Sequence, residues 1–325
     1  MAKSIKIGVV IYRNCTSSMV AGFWDIMVLA NQLHYQQFNK NLLSIELIAE
    51  TNSPIKCFSG LNLIPHKNIK TKEQFDLLYV PGFIGDVDQV LALEKKTIHY
   101  LSTIKTTKTI LTAACNGNFF LASSGALKNK NATTHWSLID KFRKDFQNVN
   151  LQPEKIIVDN GNVISAAGVT SYFNLALHII QRLTNPEISL ACAKIFLVDS
   201  GRKIQTPYQI FQFPKNHGDD VIAKTQNWLE RNFKEKTSLT QLSEVGNVSI
   251  KTLTRRFKKA TGETPQIYLQ KFRIETAKRL LESKDITFNE VTWQVGYNDP
   301  SSFHKAFKIE TGLTPIDYRN KFSFL

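Results

Sequence analysis

Apolar residues in the first 200 positions form short β-branched runs separated by longer amphipathic stretches. Short apolar runs bounded by turn residues predict buried strands, and apolar positions three and four apart predict helices. The predicted strands are SIKIGVVIY, LLSIELIAE, FDLLYVPG, TKTILTAAC and the pair KIIVD and NVISAAG. The predicted helices cover about 20–34, 86–104, 117–125, 136–146, 170–183 and 187–199. Because strands and helices alternate, we expect an α/β domain with a doubly wound, mostly parallel, flavodoxin-like sheet.

The periodicity fades in the segment GRKIQTPYQIFQFPKNHGDD, which contains two prolines and a Gly-Asp turn. Beyond this segment the pattern is helical to the end of the chain. A length of 325 residues also exceeds what a single core usually serves. We therefore expect an α/β domain over 1–200, a linker over 201–218 and an all-α domain over 219–325.

The helical region contains an internal repeat. The matched segments are Val245-Gly246 with Val295-Gly296, Phe257-Lys258 with Phe307-Lys308, Thr261-Gly262 with Thr311-Gly312, Thr264-Pro265 with Thr314-Pro315, and Tyr268 with Tyr318. Each copy predicts a short helix that ends at a glycine, a tight turn, and a second helix capped by Ser249 or Asp299. This is the helix-turn-helix plan, so we expect two such units. The helix that joins them, Pro265 to about Glu282, would be roughly 27 Å long.

The second helix of each copy carries the candidate chemistry. Between Lys251 and Lys259 the first copy has five cations and no acid. Such a face repels itself unless a polyanion neutralises it. The formal net charge of +14 also favours a polyanionic partner. The alternative is a repeat that only packs, since its apolar positions are core candidates: Val245, Leu253, Phe257, Val295, Phe303 and Phe307.

The run from SLTQLSEVGNVSIKTLTRRFKK to ETGLTPIDYRNKF resembles the AraC/XylS-type DNA-binding domain over its whole length. The resemblance implies that double-stranded DNA is the partner and that the second helix of each unit faces bases and backbone. Pro300 and Ser301 are short, so we expect the second unit to contribute more phosphate binding than base discrimination. The predicted DNA-binding residues are Ser249, Lys251, Thr252, Thr254, Arg255, Arg256, Lys258, Pro300, Ser301, Ser302, His304, Lys305 and Lys308.

The N-terminal region carries a second resemblance. The segments AGFWDIMVLAN, AACNGNFFLASSGALKNKNATTHW and VISAAGVTSYFNLALHII are similar to the ThiJ/PfpI (class I glutamine-amidotransferase-like) domain of GlxA-type regulators, which is fused to an AraC-type domain. The resemblance implies a domain that senses a small-molecule effector or dimerises. The natural ligand site of such a sheet is the crevice at the carboxyl ends of its strands. The predicted pocket residues are Gly82, Phe83, Cys115, Asn116, His135 and Gly168.

Cys115 lies at the turn between a predicted strand and a predicted helix, where helix amides and the helix dipole would lower its thiol pKa. His135 in TTHW is the candidate base. Enzymes of this superfamily commonly have a Glu near the first strand, whereas this chain has Met19 there and no acid between Arg13 and Asp25. We therefore expect no enzyme activity. Cys115 and His135 stay as residual catalytic candidates. The alternatives are an inert Cys115 in a tight turn with a packed or capping His135, a relic pocket used only for binding, and a thiol-based sensor.

The four cysteines are far apart and form no C-x-x-C pair, so we expect no zinc site, no disulfide scaffold and no cofactor. Cys15, Cys57 and Cys192 are interpreted as ordinary packing residues. The N-terminal MAKSIKIGVVIYRN predicts a strand rather than a signal peptide. No run of roughly 18 apolar residues predicts a membrane helix.

Taken together, these patterns and the two resemblances predict a sequence-specific transcriptional regulator in the bacterial cytosol or nucleoid. The resemblance of the N-terminal region implies that it forms a homodimer through the α/β domain. Two alternatives stay open. One is a cysteine-dependent hydrolase, glyoxalase or amidase with an appended DNA-binding module. The other is an architectural protein that binds nucleic acid without sequence preference.

Overall fold

The computed structural model describes residues 4–323, which divide into two compact units that meet between Gln205 and Thr206. The first unit contains the strands β1 (Ile5–Val10), β2 (Leu43–Ala49), β3 (Ile55–Lys56), β4 (Asn62–Leu63), β5 (Lys67–Asn68), β6 (Leu77–Val80), β7 (Ile110–Ala114), β8 (Asn131–Ala132), β9 (Asn150–Leu151), β10 (Ile157–Asp159) and β11 (Val163–Ala166). Its helices are α1 (Ser17–Phe38), α2 (Val87–Leu93), α3 (Lys95–Thr103), α4 (Asn118–Ser123), α5 (Ile139–Asp145), α6 (Ser171–Leu183) and α7 (Pro186–Ile195).

Seven of these strands form one sheet in the order β10-β11-β7-β6-β1-β2-β5. All pairs in it are parallel except β10 with β11 at one edge. The central order β2-β1-β6-β7-β11 is the flavodoxin-like order. Strands β6 and β11 are buried at every position, as expected where helices cover both faces of a sheet. The predicted doubly wound, mostly parallel sheet is confirmed.

Two local features differ from the predicted elements. The single helix predicted over 86–104 is divided, because Glu94 leaves the helical region between α2 and α3. The hairpin of β3 with β4 and the pair of β8 with β9 were not predicted, since strands of two residues carry no periodicity.

The second unit is helical, as predicted. Its helices are α8 (Asp220–Arg231), α9 (Leu239–Gly246), α10 (Ile250–Thr261), α11 (Pro265–Ser283), α12 (Phe288–Gln294), α13 (Pro300–Thr311) and α14 (Pro315–Phe322). Two apolar clusters form its cores. Tyr268 near the start of α11 belongs to the first cluster, and Ile274, Ala277 and Leu281 further along belong to the second. The joining helix α11 thus contributes buried residues to the cores of both helix-turn-helix units.

The repeat extends to buried hydrogen bonds. The hydroxyls of Tyr268 and Tyr318 donate to Glu230 and Glu282, at 2.5 and 2.6 Å. Tyr268 belongs to the apolar cluster of the first helix-turn-helix unit and bonds a residue of α8, and Tyr318 belongs to the cluster of the second and bonds a residue of α11. The helix α8 therefore packs against the first helix-turn-helix unit as α11 packs against the second. The core residues expected from the repeat are buried, except Val245, which is half-buried.

The predicted caps are confirmed at Ser249 and Asp299, each of which accepts a hydrogen bond from a helix amide. The matched residues Thr264 and Thr314 cap the helices α11 and α14 in the same way. The first helix ends at Gly246 as predicted, although Asn247 rather than that glycine adopts the left-handed conformation. The matching helix of the second copy, α12, ends at Gln294 and not at Gly296 as predicted, and Gly296 adopts the left-handed conformation two residues later.

Ile267 on the joining helix is an apolar residue that the helical pattern predicts to be buried. This prediction is wrong, because its side chain is 42% exposed. Its neighbour Tyr268 takes the inward position instead and is fully buried.

The segment predicted as a linker, 201–218, contains one turn of 3-10 helix, Thr206–Tyr208. Its first part belongs to the α/β unit, where Ile204 bridges to Lys155. Its later part packs on the helical unit, where Phe213 contacts Tyr268 edge to face. The ammonium of Lys278 also donates to the carbonyl of Gln209 at 2.7 Å.

Candidate nucleic-acid interface and cysteine crevice

The structure places every predicted DNA-binding residue at the N-cap of α10, on α10 itself or on α13. These are the second helices of the two helix-turn-helix units. Their inward positions fill the cores, and their outward positions carry the polar side chains. The exposed members are Ser249, Lys251, Arg255, Lys258, Ser301, Ser302, Lys305 and Lys308, and the half-buried members are Thr252, Thr254, Arg256, Pro300 and His304.

The exposed cations of α10 lack acidic partners. Among the residues the structure describes, no carboxylate lies within 4.0 Å of Lys251, Arg255 or Lys258. Their charges therefore face solvent without compensation from the protein, which is the arrangement that attracts a polyanion.

Arg256 differs from these cations. Its guanidinium donates to both carboxylate oxygens of Asp219, at 2.9 and 2.6 Å. Asp219 is the N-cap of α8 and also accepts from the amide of Ile222. The hydrogen bond from Arg256 holds the pKa of the Asp219 carboxyl below its usual range. Arg256 thus ties α10 to α8, a role that the sequence did not indicate because 37 positions separate the pair.

Amides in the first turns of α10 and α13 donate hydrogen bonds to the side chains that cap these helices. The hydroxyl of Ser249 accepts from the amide of Thr252 at the start of α10. At the start of α13 the carboxylate of Asp299 accepts from the amides of Ser301 and Ser302, and the bonds from Ser302 lower its pKa. The carboxylate of Asp299 thus places a negative charge at this end of α13, which disfavours an anion there.

The crevice at the carboxyl ends of β6 and β7 brings together four residues that the sequence singled out. A Cβ built on Gly82 would lie 2.8 Å from the side-chain oxygen of Asn116 and 3.1 Å from Cys115 Cβ and Met19 Sδ. Met19 therefore occupies the place where an acidic residue was expected in an enzyme. The glycine is required here because a larger residue would collide with Asn116.

The amide of Asn116 holds the neighbouring backbone. Its Nδ2 donates to the carbonyl of Phe83 at 2.9 Å, and its Oδ1 accepts from the N–H of Phe83 at 2.8 Å. Both groups are buried. The Phe83 amide is consequently not available to stabilise an oxyanion beside Cys115.

Cys115 has a φ of 58°, the left-handed conformation expected at a sharp turn from strand to helix. The expected lowering of its thiol pKa is wrong. Burial raises the pKa of Cys115 to about 12, and this outweighs the opposing hydrogen bond from the Asn116 backbone. The thiol is therefore protonated near neutral pH and is a poor nucleophile.

His135 caps a short helix. Its Nδ1 accepts from the amide of Ser137 at 3.2 Å and lies 2.8 Å from the hydroxyl of the same residue. Burial lowers the pKa of its imidazole. Among residues 4–323, the hydrogen bonds of this ring do not include one to Cys115. The capping interpretation of His135 is confirmed.

Gln205 is a site residue that the sequence reasoning missed. Its Nε2 donates to the carbonyls of Thr134 and Pro153, at 2.9 and 2.8 Å, and its Oε1 accepts from the N–H of Trp136 at 3.0 Å. The hydroxyl of Thr134 in turn donates to the carbonyl of Cys115. The last residue of the α/β unit is thus linked to the crevice by two hydrogen-bonded steps.

Two open cavities of the α/β unit lie away from this crevice. One of about 490 Å³ lies between α6, α7 and the segment Ser200–Ile204, and another of about 370 Å³ lies beside α3. Neither is lined by any of the six predicted pocket residues. Gly168, the remaining pocket candidate, has a φ of 87° and is half-buried.

Within 4–323, no cluster of three His, Cys, Asp or Glu side chains is arranged to hold a metal ion. Over the same residues, no helix has both the length and the apolar character needed to cross a membrane.

Comparison with known proteins adds family information for both units. The DJ-1/PfpI family matches residues 24–182, and the Helix-turn-helix domain family matches residues 242–321. The HTH-type transcriptional regulator CdhR of Pseudomonas aeruginosa is 22% identical over 293 residues, which cover 90% of this chain and 84% of CdhR. The HTH-type transcriptional regulator GbdR of the same species is 24% identical over 318 residues, covering 96% of this chain and 83% of GbdR.

A crystal structure of an AraC family transcriptional regulator from Pseudomonas putida is similar to 59% of this chain and 99% of its own, with a TM-score of 0.52 and 16% identity. At this identity the similarity shows the fold alone. Together with the two family matches and the full-length relatives, it agrees with both resemblances found in the sequence. The chain therefore joins a domain that matches the DJ-1/PfpI family to a domain that matches the Helix-turn-helix domain family.

Proposed function

We propose that this chain is a sequence-specific transcriptional regulator whose α10 and α13 contact duplex DNA. The observation that carries the proposal is the outward face of α10, where Lys251, Arg255 and Lys258 are exposed and lack acidic partners. The names of the relatives CdhR and GbdR support the same function.

In this proposal the side chains that contact phosphates and those that contact bases have different roles. Lysines such as Lys258 neutralise phosphates and set the register on the duplex, which adds affinity without sequence information. Lys251, Thr254 and Arg255 reach base edges in the major groove, where an arginine can donate two hydrogen bonds to a guanine. Arg256 supports them by holding α10 against α8 through Asp219.

A competition binding assay tests the assignment of Arg255, with an operator selected from random duplexes. Arg255→Ala should weaken operator binding by about 1–3 kcal/mol and leave scrambled DNA less affected, because it removes a base contact. Lys258→Ala should weaken both duplexes alike and reduce the salt dependence by about one unit of slope.

Arg143→Ala is the matched control, since Arg143 is an exposed arginine on α5 of the other unit. It removes the same charge and should leave operator binding unchanged. If Arg255→Ala weakens operator and scrambled DNA equally, Arg255 is a phosphate contact. If the wild-type protein binds all duplexes equally, the architectural alternative replaces this proposal.

The proposal extends to the α/β unit, which we infer to be a sensing or dimerising domain without catalytic activity. Three features of the crevice support this: Met19 lies where the resemblance implies an acid in enzymes, the Phe83 amide is engaged by Asn116, and burial raises the pKa of the Cys115 thiol. Cys115→Ser should leave operator control intact. Loss of turnover of a reactive carbonyl or amide in that variant would instead favour an enzyme.

Homodimerisation and residence in the bacterial cytosol or nucleoid complete the proposal. Both follow from the proposed work on DNA and from the domain combination that the chain shares with its relatives. Sedimentation of the full chain should give a mass near 74 kDa, about twice 36.9 kDa. A mass near 37 kDa at micromolar concentration would contradict the dimer.

A further inference from the structure

Cys15 and Cys57 bring their thiols into contact although 42 positions separate them in the chain. The two Sγ atoms lie 3.7 Å apart, and both side chains are buried. Their spacing in the sequence gives no motif, so they were interpreted there as separate packing residues. A disulfide needs about 2 Å between its sulfur atoms, so the pair is within a short movement of bonding distance.

Backbone hydrogen bonds already hold the two segments together on either side of the thiols. The N–H of Asn14 donates to the carbonyl of Lys56 at 3.1 Å, and the N–H of Phe58 donates to the carbonyl of Cys15 at 3.2 Å. Because the two segments are aligned in this way, closing the bond needs side-chain rotation and little backbone rearrangement.

Cys57 lies in the hairpin of β3 and β4, whose strands have two residues each. A two-stranded ribbon of this size has little stability of its own. Its tip, residues 58–61, is exposed. Brief local opening of the hairpin therefore gives a small oxidant access to Cys57, whereas Cys15 stays within the connection between β1 and α1.

We propose that Cys15 and Cys57 form a reversible intramolecular disulfide when the protein meets a peroxide. The sulfur of Cys57 attacks a peroxide oxygen, the O–O bond breaks, and the leaving hydroxide takes the thiol proton as water, which leaves a sulfenic acid. The sulfur of Cys15 then attacks the Cys57 sulfur, and the S–O bond breaks to release a second water with the Cys15 proton. The two thiols lose two electrons, and the peroxide gains them.

The order of the two steps follows from the contact between the thiols. The hydrogen bond from Cys15 lowers the pKa of the Cys57 thiol, and the same contact together with burial raises the pKa of Cys15. Cys57 is thus the thiol that reaches the thiolate form more readily, and the thiolate is the nucleophile.

The disulfide would fix the hairpin to one wall of the crevice. Cys15 forms an isolated bridge with Phe83, whose backbone is held by Asn116. The next residue, Thr16, donates its N–H to the carbonyl of Gly82 at 2.8 Å. Oxidation of the pair would therefore stiffen the same segment that carries the crevice residues. The disulfide itself does not depend on the proposed DNA binding.

The test uses the full chain, treated with hydrogen peroxide, quenched and digested without reduction. We expect a linked pair of peptides that contain Cys15 and Cys57, absent after reduction with dithiothreitol. The thiols titratable in denaturant should fall from four to two. In the wild-type protein, tryptic cleavage after Lys56 should slow about fivefold on oxidation and recover on reduction, because the hairpin opens less often.

Cys57→Ser should abolish the linked pair. Cys192→Ser, a matched change at another buried cysteine, should leave it intact. The proposal is overturned if Cys15 and Cys57 stay reduced at peroxide exposures that fully oxidise a reference dithiol peptide. It is also overturned if the linked pair forms only in denatured protein.

Discussion

Gln205→Ala is expected to loosen the loop that carries His135. The side chain is 3% exposed and bonds the N–H of Trp136 and the carbonyls of Thr134 and Pro153. An alanine leaves the N–H without its acceptor, at a cost of about 1–3 kcal/mol, and removes two further hydrogen bonds worth roughly 1 kcal/mol each. Water that enters the gap offsets part of the sum, so we expect a loss of about 3 kcal/mol in the local free energy of opening.

Amide hydrogen exchange followed by mass spectrometry measures this loss locally. A local method is needed because a chain with two units need not unfold in one transition. A loss of about 3 kcal/mol corresponds to exchange roughly a hundredfold faster in peptides that cover 133–137. Peptides from the helical unit should be unchanged.

Two variants separate the hydrogen bonds from other effects of the substitution. Gln205→Glu keeps the size but replaces the amide donor with a carboxylate, so it should accelerate exchange at least as much as Gln205→Ala. Gln181→Ala, at an exposed position on α6, should leave exchange in 133–137 unchanged. The reasoning is refuted if Gln205→Ala changes this exchange less than threefold, or no more than Gln181→Ala does.

Two further predictions concern the helical unit. Gly296→Ala should destabilise it severely, because a Cβ at its φ of 80° would lie 2.5 Å from the carbonyl oxygen of Lys234. Gly262 has nearly the same φ, 81°, but open space around a new Cβ. Gly262→Ala should therefore lower the free energy of unfolding by only about 1 kcal/mol. Equal melting temperatures for these two variants would contradict the first prediction. The lowered pKa of Asp219 means that its pairing with Arg256 stabilises the fold above the unfolded pKa, about 3.9, and that this contribution is lost as the pH falls through the lower folded value. Asp219→Asn should therefore flatten the acid limb of a stability profile, and an unchanged limb would count against the pair.

The elements and the repeat could be predicted because their signals are local. A β-branched run such as the one at β6, a cap such as Ser249 and a glycine such as Gly262 each act within a few positions of the chain. The repeat then showed where the same helical plan occurs twice. The crevice residues near Cys115 followed from the rule that strand ends meet at one edge of a parallel sheet.

The contacts between distant side chains could not be predicted. Gln205 and Trp136 are 69 positions apart, and Arg256 and Asp219 are 37 apart. No periodic pattern in the sequence connects the two members of either pair. The direction of the Cys115 pKa shift also depended on burial, which raises the pKa and outweighs the hydrogen bond from the Asn116 backbone that lowers it. Only the packed structure decides between such opposing effects.

Hydroxyl-radical footprinting on a selected operator tests the central claim, that one chain presents two DNA-contacting helices, α10 and α13. We expect two protected windows for each bound helical unit, centred about one helical turn or 10 base pairs apart. Arg255→Ala should weaken protection in one window and Lys305→Ala in the other. A single window, or the loss of both windows together in either variant, would show that the two helices do not contact DNA separately.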